Sequence, residues 1–222
     1  MGEMIQLTAG DGHQFGAYRA DPVGTPKGGL VLIQEIFGVN EHIRDLCDQY
    51  AADGYAVIAP AVYDRAERDV DLGYDDEDRK KGVALRGQIS WEVITQDLGA
   101  SAIALKDCGK VGVIGFCFGG SVAWVGADSG HFDAAVCYYG GGIDQLLDKD
   151  AKCPVMLHYG EADQGIPMEK VETVRAGLPD ATIHTYAGAG HGFVCDARAS
   201  FHEEATRVSR GRTLEFFAQH IG

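Results

Sequence analysis

Short apolar runs rich in β-branched residues recur along the chain, separated by stretches whose apolar positions fall three and four residues apart. The first kind reads as buried strands and the second as amphipathic helices. Met4 to Thr8, an Asp11-Gly12 turn and Gln14 to Arg19 predict an antiparallel hairpin at a sheet edge. After a loop carrying Pro22, Gly24, Pro26 and Gly28-Gly29, Leu30 to Ile33 is a buried strand. Ile43, Leu46, Cys47 and Tyr50 mark a helix closed by Asp53-Gly54, and Ala56 to Ala59 is a strand stopped by Pro60. A helix from Trp91 to Lys106 leads into a strand beginning near Lys110. Ala134 to Tyr139, Val155 to Tyr159 and Thr182 to Tyr186 are the later strands. Pro167 opens a helix running to Gly177, and Arg198 to Ile221 forms the last helix.

Strands that alternate with helices predict an α/β fold, a mostly parallel sheet covered by helices on both faces. No repeat or linker divides the chain, so residues 1–222 are expected to form one domain. Asp64 to Lys81 breaks the pattern, being charge-dense with almost no apolar periodicity. It reads as a solvated excursion in preference to a lid over a binding site.

The sharpest local pattern runs from Lys110 to Ala127. An apolar strand meets Gly115-Phe116-Cys117-Phe118-Gly119-Gly120 and continues into a helix of small residues. Gly-x-Cys-x-Gly between strand and helix has the form of a nucleophile elbow, with cysteine where serine is more usual. So sharp a turn strains the backbone at Cys117 and requires Gly115 and Gly119 to lack side chains. The plain alternative is a glycine-rich turn holding an inert buried thiol.

Two further groups follow in the order that such an elbow requires. Asp163 lies just beyond the strand Val155 to Tyr159, and His191, in Gly190-His191-Gly192-Phe193, lies beyond the strand Thr182 to Tyr186. In open α/β sheets these strand ends share one rim. An ordinary thiol is mostly protonated near neutrality, so it needs a base, and His191 oriented by Asp163 supplies one. Asp163 could instead cap a helix, with Glu161 as the acid, and His191 could be a loop residue fixed by backbone bonds. His158, inside a strand, reads as a core residue. The N–H of Phe118 at a helix start would form half of an oxyanion hole, and that of Ile36 the other half. Glu35 ends a buried apolar strand, where an unpaired carboxylate is costly. It reads as a carboxylate facing Cys117 that holds or takes the thiol proton, the alternative being a cap or ion-pair partner of the next helix.

Composition narrows the partners. There are 33 acidic against 19 basic residues, a formal charge of −14, which disfavours nucleic acid and anionic membrane. The six cysteines include no CxxC pair and no Cys/His spacing suited to zinc, so no metal site is expected. Several sit in apolar strand-like runs, as reduced thiols do in a cytoplasmic protein. No basic segment with an apolar core follows Met1 and no apolar run approaches membrane-spanning length, so neither a signal peptide nor a membrane span is expected.

Together these residues resemble the dienelactone hydrolases (carboxymethylenebutenolidases) of the α/β-hydrolase fold. The similar stretches are Gln34 to Asn40, Gly54 to Pro60 with Tyr63, Gly115 to Gly120, Tyr138-Tyr139-Gly140, Gly160 to Asp163 and Gly190 to Phe193. The resemblance implies a triad of Cys117, Asp163 and His191 with Glu35 as activating carboxylate. It implies hydrolysis of an enol-lactone such as dienelactone to maleylacetate, in the degradation of aromatic compounds, through a thioester acyl-enzyme without a cofactor. The substrate is then a small ester or lactone, and a monomer is expected. One position departs from the family pattern: the arginine expected four residues after the histidine is Cys195. Arg79 is a loose match for the other substrate-binding arginine, and Arg86, Arg198, Phe37 and Tyr138 are further candidate contacts. A broader carboxylesterase or thioesterase, or a non-catalytic thiol sensor, are the other functions such a chain could serve.

Overall fold

A computed structural model describes all 222 residues. Eight strands form one sheet: β1 (Glu3–Thr8), β2 (Gln14–Ala20), β3 (Gly29–Ile33), β4 (Ala56–Pro60), β5 (Val111–Phe116), β6 (Ala134–Tyr138), β7 (Val155–Gly160) and β8 (Thr182–Tyr186). Their order is β1-β2-β4-β3-β5-β6-β7-β8. The β1–β2 hairpin pairs antiparallel and joins β4 antiparallel, while every other pairing is parallel. The strands β3 to β7 are buried along their whole length, as apolar runs covered on both faces must be. Pro60 ends β4 inside the ladder, opposite Ala17, instead of stopping short of it.

Six helices cover the sheet: α1 (Glu41–Ala52), α2 (Asp76–Arg86), α3 (Trp91–Ala104), α4 (Phe118–Asp128), α5 (Met168–Gly177) and α6 (Glu203–His220). Asn40 starts α1 by accepting the Ile43 N–H, a side-chain N-cap. Helices α1 and α6 lie together, with Arg210 bonded to Asp53 and its guanidinium 5.2 Å from the Tyr50 ring centre. Helices α3 and α4 pack on one another and on the central strands. No helix is long and apolar enough to cross a membrane, and all six cysteines are free thiols.

Two expectations change. The last helix begins at Glu203, where His202 caps it by accepting the Ala205 N–H, so Arg198 sits in the preceding loop. The charged stretch 64–81 is docked onto the body. Asp64 is buried and accepts the Gly16 N–H at 2.7 Å. Gly38 and Asp71 form an isolated antiparallel bridge, and Val70 and Leu72 join the core. Asp75 caps α2, and Tyr63 donates its hydroxyl to the Gly82 carbonyl at 3.0 Å. A side chain at Gly82 would collide with the Ile36 carbonyl. Few apolar residues were needed because close backbone approach and buried polar bonds hold the segment.

Candidate active site

The carboxyl ends of β3, β5, β7 and β8 meet at one rim. Strand β5 ends at Phe116 and α4 starts at Phe118, leaving Cys117 alone to turn the chain at φ 57° and ψ −116°. That conformation costs a non-glycine residue on the order of 1–3 kcal/mol. The surroundings hold it there. The Cys117 N–H donates to the Tyr138 carbonyl at 3.0 Å, and the Gly120 N–H donates to the Cys117 carbonyl at 3.0 Å. A Cβ on Gly119 would strike the carbonyls of Ile33 and Gln34, and one on Gly115 would strike the Gly119 carbonyl. These glycines let the elbow sit directly on β3.

Cys117 Sγ lies 3.1 Å from His191 Nε2, and His191 Nδ1 lies 2.7 Å from Asp163 Oδ2. The two supporting loops are tied together, the Ala162 N–H donating to the Ala189 carbonyl at 2.9 Å. Asp163 is 3 % exposed, and its other oxygen accepts the N–H groups of Gly165 and Ile166 at 2.8 and 3.2 Å. Burial would raise the Asp163 carboxyl, but the His191 bond and these donors hold it below its ordinary value. Burial likewise opposes charge on His191, yet the bond to Asp163 and the Cys117 sulfur outweigh it and push its pKa up to about 10. His191 is therefore biased toward the imidazolium, with Nε2 facing the Cys117 sulfur. Glu161 is exposed and accepts the Thr185 hydroxyl, away from His191. His158 is buried between the Tyr186 and Thr213 hydroxyls.

Neither the Phe118 nor the Ile36 N–H has an acceptor in the protein, and both residues line a cavity of about 300 Å³ with Cys117 and His191. Arg86 and Lys170 border the same cavity, and neither forms a salt bridge. The Arg86 guanidinium rests 5.5 Å from the centre of the Phe118 ring. A second cavity, about 480 Å³, opens on the other side of His191 between Tyr74 and Arg198.

Glu35 is 1 % exposed and its one hydrogen bond comes from Arg198 Nη1, at 3.3 Å. The carboxylate is thus engaged by a guanidinium from the loop before α6, where a carboxylate bonded to the thiol was expected. Arg198 also lies 5.9 Å from the ring centres of both Phe37 and Tyr74. Phe37 is buried beneath that guanidinium and lines neither cavity.

Three substrate contacts expected from sequence are not at the site: Phe37, Arg79 and Tyr138. Arg79 pairs with Asp76 on the exposed face of α2, turned outward by the helical period. Tyr138 bonds Thr213 of α6 through its hydroxyl, within the core. Its neighbour Tyr139 faces the rim, with its ring edge-on to His191 at 5.2 Å between centroids. Tyr138 ends β6, and the positive φ of Tyr139 just beyond it turns that ring toward the rim, 6.1 Å between centroids from the Tyr138 ring; the doublet alone does not say which one meets His191. Tyr139 also carries φ 37° and a buried hydroxyl without a partner. Lys170 had no sequence signal beyond its place in the first turn of α5.

The dienelactone hydrolase family model matches residues 15–221. The chain belongs to the dienelactone hydrolase family. Its dienelactone hydrolase relatives include the carboxymethylenebutenolidase of Pseudomonas putida, 32% identical over 97% of this chain and 96% of that one. An Azospirillum brasilense protein, whose carboxymethylenebutenolidase name is itself inferred, is 37% identical over 98% of this chain and 99% of that one. A Klebsiella pneumoniae crystal structure, also assigned to the dienelactone hydrolases by inference, superposes with a TM-score of 0.85 at 32% identity. It covers 98% of this chain and 100% of that one. A dienelactone hydrolase-like promiscuous phosphotriesterase from metagenomic libraries shares the fold, with a TM-score of 0.81 at 20% identity over 100% and 99% of the two chains. As a dienelactone hydrolase family member the chain is a hydrolase of the ester and lactone class.

Proposed function

We propose that residues 1–222 act as one catalytic unit that opens a small anionic ester or enol-lactone, dienelactone being the model substrate, through a thioester on Cys117. The observation that carries this is the unbroken chain from Cys117 Sγ through His191 to buried Asp163, set on a strained elbow. The thiolate attacks the carbonyl carbon, and the Phe118 and Ile36 N–H groups receive the developing oxyanion. The ring C–O bond then breaks and the enolate oxygen leaves with a proton from His191. Water, deprotonated by His191, attacks the thioester carbonyl, and the departing sulfur is restored as thiolate.

Two unpaired cations, Arg86 and Lys170, beside this thiol in a chain of charge −14 support an anionic substrate. Arg198 is the third cation at the rim. A substrate carboxylate that competes for it would loosen the Glu35 ion pair. The reaction needs no cofactor in this reading.

Trapping with a slowly hydrolysed ester, followed by peptide mass mapping, tests it. An adduct on Cys117 is expected; an adduct on Ser121 or on another cysteine overturns the proposal.

A further inference from the structure

Behind Glu35 lies a cluster that this chemistry leaves largely unused. Glu35 follows β3, His42 is in the first turn of α1, and Cys195 is in the loop between β8 and α6. One carboxylate oxygen, one ring nitrogen and Sγ from these three all lie within 4.8 Å of one another. Glu35 and Cys195 are buried, at 1 % and 0 % exposure. Glu35 Oε2 and His42 Nε2 are both shut away from solvent with no hydrogen-bond partner. Buried polar atoms are rarely left so, and here two of them face a thiol.

We propose that Glu35, His42 and Cys195 form a binding site for a divalent transition-metal ion of the zinc class. Carboxylate, imidazole and thiolate together are a donor set for a borderline-soft ion, and alkaline-earth ions do not favour sulfur. In a tetrahedral site with bonds of about 2.0–2.3 Å, neighbouring ligand atoms sit roughly 3.3–3.8 Å apart. Small side-chain rotations close the present cluster to that size, and water takes the fourth position. Arg198 does not exclude the ion, because it occupies Oε1 and leaves Oε2 free. On coordination the Cys195 thiol gives its proton to solvent as the sulfur–metal bond forms. No ligand spacing announces the site in the sequence, because its three donors come from three separate elements.

The test uses tag-free protein carrying Cys117→Ser, which removes the other thiol–imidazole pair. Titration with Co²⁺ is expected to give one ion per chain and a thiolate-to-cobalt absorption band in the near ultraviolet, displaced by Zn²⁺. In the same background Cys195→Ala should abolish the band and weaken Zn²⁺ binding by about a hundredfold or more. His42→Gln, at a partly buried position in the first turn of α1, should weaken it at least about tenfold, and it decides the matter if Cys195→Ala disturbs the fold. Absence of saturable binding overturns the proposal. So does a band that survives Cys195→Ala, or Zn²⁺ affinity unchanged in His42→Gln.

Discussion

Asp163→Asn strikes the site at its most constrained bond. Asp163 Oδ1 already accepts two backbone N–H groups, at 2.8 and 3.2 Å. The amide therefore keeps its oxygen there and turns its NH₂ toward His191 Nδ1, 2.7 Å from the present Oδ2. His191 must then accept at Nδ1 and carry its one proton on Nε2, aimed at Cys117 Sγ 3.1 Å away. In that tautomer the ring takes no proton from the thiol. The imidazolium also loses the carboxylate that, against burial, lifts its pKa to about 10. The same change in a serine triad costs about 10⁴ in kcat. A thiol is more acidic and intrinsically more nucleophilic, so the loss here should be smaller, about 10² to 10³, or roughly 2.7–4.1 kcal/mol. The assay is kcat and kcat/KM on a chromogenic ester, with iodoacetamide inactivation followed over about pH 6 to 9. Wild-type alkylation should outpace the variant's over that interval, because only the variant holds His191 in the tautomer that takes no proton from the thiol. A variant within about fivefold of wild type, or one with an unchanged alkylation profile, would refute the tautomer argument.

Gly119→Ala should cost more than about 2 kcal/mol in a urea melt, since its Cβ meets two backbone carbonyls of the β3 end that have nowhere to move. Arg86→Met should lower the preference for a free-acid lactone over its methyl ester about tenfold or more in kcat/KM, at unchanged turnover of the neutral ester. The His191 pKa stands at about 10 in the folded chain against 6.5 for the free side chain. A folded-state pKa raised in this way gives stability that is complete below pH 6.5 and is lost as pH rises toward about 10. Melting temperatures measured across that interval should fall more for wild type than for His191→Gln.

Much of this architecture is readable because it is written locally. The hairpin, the buried parallel strands and the elbow each occupy one continuous stretch, and the rim that gathers Cys117, Asp163 and His191 follows from parallel topology alone. What escaped depends on contacts between distant segments. The stretch 64–81 lacks apolar periodicity because Asp64, Tyr63 and Gly82 anchor it by polar bonds and backbone contact. Arg198 is helical by pattern, but the His202 cap moves the helix start past it and frees its side chain for Glu35. Tyr138 and Tyr139 are indistinguishable in sequence, and one residue of register decides which one meets His191.

The two unpaired cations beside Cys117 have a kinetic meaning as well as a local one. An anionic substrate approaching a chain of charge −14 climbs a repulsive potential until it comes within about one Debye length, roughly 10 Å at moderate salt, of Arg86 and Lys170. Added salt screens the distant repulsion more than the short-range attraction inside the cavity. Capture of an anionic lactone should therefore quicken as ionic strength rises from low values, the reverse of ordinary electrostatic steering. A neutral ester should be indifferent to the same change.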